Sequence, residues 1–394
     1  MRDWASTTLG VLCSEGGTVQ TGPFGSQLHA SDYVDQGVPV VMPVNIGDNR
    51  IIEQGIMRIR EGDAERLVRH RLRAGDIVYS RRGDITRRAL IRRETGWLCG
   101  TGCLLVRPGR NVDSIWLSSW LGTPLVHEWL NKHSVGATMP NLNTGILSAL
   151  PVNVPPLAEQ RRIAGVLGAL DDLIDTNEST ARSMEQLLAA QFGRLGFDRE
   201  GELALSELVV LNPAYSKPRG QAPYVDMRAL PTDGYSIDVV GSRSAVGGAR
   251  FVNGDTLVAR ITPCLENGKT AFVDCLEPGE VGVGSTEFIV MKPRDSVADC
   301  WPYFLARSDR FREYAIRHMS GTSGRQRLAA EALASYPIAQ PSEASLAEFS
   351  TLSTPLLAAM RSLLDEARVL RRTRDELLPL LMSGRVRVRD LEAA

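Results

Sequence analysis

Two hydrophobic rhythms alternate along the chain. The first consists of short apolar runs punctuated by Gly, Pro, Asn and Asp: "VPVVMPVNI" (38–46), "GDIVYS" (75–80) and "GCLLVRP" (102–108), then "DTLVAR" (255–260), "KTAFVD" (269–274) and "TEFIVMK" (286–292). Runs of this length and punctuation predict strands. The second rhythm follows each strand-rich stretch and steps by four and three. It comprises Ile163, Leu167, Leu170, Ile174, Asn177, Ala181, Met184 and Leu188, and later Leu346, Phe349, Ser353, Leu356, Met360, Leu363, Ala367, Leu370, Arg374 and Leu377. That alternation held over many turns is a coiled-coil seam, so two long helices are predicted to pair, with the polar Asn177 fixing register.

Local signals bound these helices. Pro155 and Pro156 precede the first and Gly193 and Gly196 follow it; Pro341 precedes the second and Pro379 is expected to close it, while Pro355 predicts a kink or a later start. Roughly 34 residues at about 1.5 Å each make a rod about 50 Å long.

The order of elements occurs twice. "AGDIVYSRRGDI" (74–85) and "NGDTLVARITPC" (253–264) share Gly-Asp, an apolar run and then Arg. Further along Gly136 aligns with Gly321, Pro151 with Pro337, and Leu157-Ala158-Glu159 with Leu346-Ala347-Glu348. Order is kept while the offset drifts, which predicts a duplicated unit with unequal loops. The expected fold class is α+β, with strand-rich domains at 1–154 and 196–341, a central long helix at 155–195, and a C-terminal helix and tail at 342–394.

Composition adds limits. The 394 residues are 43% hydrophobic and 23% charged, suiting a water-soluble protein of more than one core. No apolar run is long enough to span a bilayer and "MRDWASTTLG" lacks the order of a signal peptide, so a cytoplasmic location without membrane contact is expected. The six cysteines contain no Cys-x-x-Cys and the five histidines are scattered, which predicts reduced thiols and no metal site. A net charge of -1 hides segregation: Arg50 to Glu94 holds thirteen arginines against seven acids, whereas Ala158 to Phe192 holds six acids against three arginines. One surface for nucleic acid and another for protein is the expected consequence.

Four segments, in order, carry a family resemblance: "GPFGSQLHASDYVDQGVPVVMPVNIG", "MPNLNTGILSALPVNVPPLAEQRRIAGVLGALDDLID", "ARITPCLENGKTAFV" and "LLPLLMSGRVRV". With the repeated order of strand-rich domain and long helix, the chain resembles the specificity subunit of type I restriction-modification enzymes. The resemblance implies two target recognition domains, each reading one half of a bipartite site in double-stranded DNA. It implies paired helices that set the spacing and dock two methyltransferase subunits and, in a restricting assembly, translocation and nuclease subunits. It implies a noncatalytic chain without its own cofactor, S-adenosylmethionine, ATP and Mg being held by those partners.

DNA reading favours Arg, Asn, Gln and Lys on loops, since Arg pairs bidentately with guanine and Asn or Gln with adenine. Arg81, Arg82, Arg87 and Arg88 follow "GDIVYS"; Arg260, Asn267 and Lys269 follow "GDTLVA". Gly25 and Ser26 in "GPFGSQ", and Thr138 and Asn141 beside Gly136 in "GATMPN", are candidates for close backbone or phosphate contact, with Arg325 as the nearest charged candidate in the second copy.

Two other classes compete. "ENGKT" ends like a phosphate-binding loop, but Pro263 stands where that loop needs Gly. Asn212-Pro213-Ala214-Tyr215 comes within one residue of the Asn/Asp-Pro-Pro-Tyr/Phe signature of DNA amino-methyltransferases. No Gly-x-Gly turn after a strand accompanies it, and the chain does not alternate strands and helices as a doubly wound cofactor domain does. A helical scaffold that binds no DNA is the third class, and it predicts dispensable arginine loops.

Overall fold

A computed structural model describes residues 4–136, 140–237, 240–244, 247–322 and 324–388. The chain separates into two compact units, one formed by residues up to Ile174 together with those from Arg368 on, the other by Asp175–Ala367. Among the described residues no helix is long and apolar enough to cross a membrane.

Six quoted apolar runs become strands. In the first unit an antiparallel sheet takes the order Thr18–Thr21, Cys103–Arg107, Ile77–Ser80, Arg88–Leu90. In the second unit Val209–Leu211, Phe288–Pro293, Thr256–Ala259 and Thr270–Phe272 repeat that order and sense. Ile77–Ser80 and Thr256–Ala259 are buried on both faces, which is why they read as continuous apolar runs rather than alternating ones. Each unit adds a second four-stranded sheet with one parallel pair, Val38–Val41 beside Leu98–Cys99 and Gln221–Val225 beside Gly282–Gly284.

The Gly-Asp repeat has a physical explanation. Gly75 and Gly254 adopt φ of +89° and +93°, a conformation that a side chain disfavours. The next residue, Asp76 or Asp255, is buried and accepts the amide of Arg73 at 2.8 Å or of Val252 at 2.9 Å. The pair thus turns the chain and satisfies the turn's amide before the central strand begins.

The long helices are Leu157–Arg194 and Glu343–Met382. Gly196, at φ +74°, follows the first, with the Phe197 amide bonded back to Phe192 across 3.3 Å, a left-handed stop. Ile163, Leu167, Ile174, Asn177, Ala181 and Leu188 are buried on the first helix, as are Phe349, Ser353, Met360 and Ala367 on the second. Within Asp175–Ala367, Asn177 meets Glu366 while Gln191 and Arg194 meet Glu348, so those segments run antiparallel. In the first unit Arg374 donates to Asp171 across 2.9 Å.

Two prolines behave differently from the sequence expectation. The second helix runs unbroken through Pro355 and does not close at Pro379, continuing to Met382. The buried seam residues on both sides of Pro355 outweigh the one hydrogen bond it removes, and Leu381 and Met382 are drawn into the first unit's core.

Candidate nucleic-acid interface

In the first unit the chain leaving Ile77–Ser80 is held open as a loop edge. The Arg81 amide donates to Gly102 O and the Arg81 carbonyl accepts the Leu142 amide, both at 2.9 Å. Arg82 bridges Asn141, and Asn141 in turn exchanges backbone bonds with Val135 at 2.9 and 3.1 Å. Arg81 Nε donates to Asn141 Oδ1 (3.3 Å) and Leu142 O (3.2 Å), fixing the plane of the guanidinium. Its two terminal nitrogens have no partner among the described residues.

Beside this edge lies the turn of "GPFGSQ". The Phe24 carbonyl accepts the Gln27 amide (2.8 Å), Gln27 Oε1 accepts the Phe24 amide (3.2 Å), and the Phe24 ring lies 6.0 Å from the Arg81 guanidinium carbon. Gly25 and Ser26 are exposed at the tip, and nothing lies within 4 Å of where a Gly25 side chain would begin. Gly25, Ser26, Arg81, Arg82 and Asn141 are therefore brought to one face. Thr138 lies outside the described residues.

Arg87 and Arg88 part company. Arg87 is exposed and pairs with Asp84 at 3.3 Å; the Thr86 hydroxyl, then its amide and Arg87, hold the Asp84 carboxyl below its usual range. Arg88 opens the strand Arg88–Leu90 and turns inward. Its Nε donates to the Ser118 carbonyl, and a Cβ on Gly122 would fall 1.9 Å from Nη2. The open carbonyls at the end of helix Ser114–Leu121 attract this cation, and burial lowers its pKa. Placing Arg88 with the exposed arginines is thus corrected: it packs inside the first unit.

The second unit rebuilds the same edge. The Arg260 amide donates to Glu287 O (2.9 Å), the Arg260 carbonyl accepts the Leu328 amide (2.8 Å), and Ile261 bridges Arg327. Arg260 is the counterpart of Arg81, and Arg327 of Asn141. Arg327 is a residue that sequence reasoning missed in favour of Arg325, which is exposed two positions earlier. The offset of 185 read from Gly136 and Gly321 drifts by one more residue before Arg327, and only strand pairing reveals it. Arg327 grips Glu287 at 2.8 to 3.0 Å, and that hydrogen bonding, with Arg260 nearby, holds the Glu287 carboxyl below its usual range.

Arg260 Nε is buried without a partner among the described residues, and the side chain lines a cavity of about 330 Å³ with Asn212, Tyr215, Arg250 and Phe288. Asn267 is exposed. Lys269, partly exposed, donates from Nζ to the Met227 carbonyl across 2.7 Å, which ties it to a neighbouring loop.

"NPAY" leaves the edge strand Val209–Leu211 as the chain of "GPFGSQ" leaves Thr18–Thr21, but two register positions earlier. Gly22 donates to Cys103 O at 2.9 Å and Asn212 to Val290 O at 2.7 Å, each one residue past its edge strand; Val290 is the counterpart of Leu105, so Asn212 stands where Gln20 does. Asn212 Oδ1 also accepts the Val290 amide (3.0 Å), and the Tyr215 hydroxyl donates to Asp255 (2.9 Å). The amide oxygen and phenol that would act in a methyltransferase motif are engaged in holding the turn.

Comparison with known proteins points the same way. Residues 35–186 match the family model of the type I restriction modification DNA specificity domain. The type I restriction enzyme EcoEI specificity subunit of Escherichia coli is 30% identical over 146 residues, 35% of this chain and 24% of that protein. The EcoAI specificity subunit of the same organism is 37% identical over 84 residues, 21% of this chain and 14% of that protein. The matched stretches therefore span about a quarter or less of these relatives' lengths. The crystal structure of a type I restriction-modification system S subunit from M. genitalium shares the fold, with a TM-score of 0.57, 15% identity and 96% of both chains covered.

Proposed function

We propose that this chain, which belongs to the specificity-subunit family of type I restriction-modification enzymes, reads a bipartite site in double-stranded DNA and directs methylation that partner subunits carry out. The observation that carries this reading is the arginine-bearing edge built twice on the same strand order, around Arg81 and around Arg260. Two equivalent edges suit two half-sites. Arg81, whose terminal nitrogens have no hydrogen-bond partner among the described residues, suits bidentate pairing to guanine, and the exposed Arg82 suits phosphate.

The division of labour follows from what the residues are doing. The "NPAY" side chains hold a turn, so chemistry on adenine falls to modification subunits that bring S-adenosylmethionine, with ATP and Mg on a translocating subunit where one is present. Exposed Leu173, Leu187 and Val369 on the long helices support docking of two such subunits there.

Mapping methylated adenines in cells with and without the chain tests the reading: one bipartite motif should disappear with the chain. Replacing Arg81 and Arg82 together by Ala should abolish or strongly weaken sequence-specific binding of the purified complex without unfolding it. Unchanged affinity at physiological salt overturns the assignment.

A further inference from the structure

Phe24 stands out on the first unit's arginine edge because a half-exposed aromatic ring (50%) sits among cations at a turn tip. Single exposed apolar residues are ordinary. This one is held in place, however: the paired Phe24 and Gln27 bonds fix the turn, and the Arg81 guanidinium beside the ring is itself fixed by Asn141 and Leu142. Val135, 62% exposed, flanks the same edge through its bonds to Asn141. A rigid apolar surface next to a rigid guanidinium matches the edges of a pyrimidine and an adjoining guanine in the major groove. The C5 methyl of thymine is apolar, while guanine O6 and N7 accept.

We propose that Phe24 is a specificity-determining residue that packs against a pyrimidine C5 methyl next to the guanine read by Arg81. This rests on the DNA-reading function above and adds to it the chemistry of one base step. The second unit lacks the ring. Strand register sets Asn212 against Val290 as Gln20 is set against Leu105, which brings Phe24 onto Ser216, while the neighbouring Tyr215 has its hydroxyl tied to Asp255. Methyl reading of this kind therefore belongs to one half-site only. The ring lies 6.0 Å from the Arg81 guanidinium carbon, and the edge bonds of Arg81 run to Gly102, Asn141 and Leu142, so removing the ring leaves them in place.

The test is a methyl scan of the mapped site with the purified complex of full-length chain and modification subunits. Each thymine in both strands is replaced singly by uracil and each cytosine by 5-methylcytosine, and dissociation constants are read by fluorescence anisotropy. Every base pair carries one pyrimidine, so the scan reaches every position. At one base pair of one half-site the methylated form should bind about fourfold more tightly than the unmethylated form, the worth of one buried methyl. Phe24→Ala should abolish that difference, and Phe24→Leu, which keeps an apolar surface, should retain part of it. A wild-type complex insensitive to the methyl at every position, or a Phe24→Ala complex with the same sensitivity, overturns the proposal while sequence-specific binding still supports the broader reading. Loss of all sequence preference in the wild type overturns both.

Discussion

The Tyr215 hydroxyl donates to Asp255 Oδ1 across 2.9 Å, where the equivalent Asp76 is clasped by Arg107 instead. One buried carboxylate is thus answered by a neutral donor and the other by a cation. Burial raises the Asp255 pKa from 3.8 to about 6, against the opposing pull of the Val252 amide and Tyr215. A raised folded value means that the folded chain keeps a proton the unfolded chain has released. This contribution to stability is complete below about pH 4 and is lost as pH rises through about 6. Relative to Asp255→Asn, the wild type should lose on the order of 2–3 kcal/mol between pH 4 and pH 7. Urea midpoints of the two proteins across that range check it; parallel curves would refute the prediction.

The Asp76 counterpart makes the opposite demand. Asp76 is 1% exposed and receives both Arg107 Nε (2.7 Å) and Nη2 (2.6 Å), a bidentate clasp. Arg107→Ala leaves a buried carboxylate without its cation and should cost about 3–5 kcal/mol. Thermal unfolding of the variant, with Asp76→Asn plus Arg107→Met as the control that removes both charges, reads it out. The double variant should recover most of the loss.

These two aspartates also show what was legible in the sequence and what was not. Gly-Asp followed by an apolar run marks the turn and the central strand in both units, because backbone conformation and strand burial are local demands. The seam from Ile163 to Leu188 was legible for the same reason: one face of a helix is a period in sequence. What each Asp faces was not, since Arg107 reaches Asp76 from a strand and Tyr215 reaches Asp255 from the loop after Val209–Leu211, at different separations. The arginine candidates divide likewise. Charge marks Arg81, Arg82 and Arg88 alike, yet Gly122, which makes room for Arg88, is 34 residues away. Lys269 finds the Met227 carbonyl by the same kind of long-range pairing, and Phe24 carries no charge to flag it.

Arg87 and Arg88 give a direct test of that division. Arg88→Ala should destabilise the first unit by about 1–3 kcal/mol, since the Ser118 carbonyl and the space beside Gly122 lose their partner. The affinity of the folded fraction for DNA should change little. Arg87 is exposed and, among the described residues, pairs with Asp84 alone at 3.3 Å, so Arg87→Ala should leave stability within about 0.5 kcal/mol. If Arg87 contacts phosphate, it lowers the salt slope of binding by about one. Unfolding curves and salt titrations of both variants separate the roles.

Asn177 supplies the last test, on the helices. Its side chain is 7% exposed on the seam and donates to Glu366 Oε2 at 3.0 Å within the second unit. Glu366 is itself exposed, so water can replace Asn177 as its partner. Asn177→Leu exchanges a buried amide for apolar volume and should raise stability by about 1 kcal/mol, seen as a higher urea midpoint. The register that the amide specifies should loosen in return, because an all-apolar seam accepts neighbouring alignments more readily. Cysteines placed at Gln191 and Glu348, which hydrogen-bond across the helices at 2.8 Å, report register directly. Cross-linking between them should be complete in the parent and spread to the adjacent turn in Asn177→Leu.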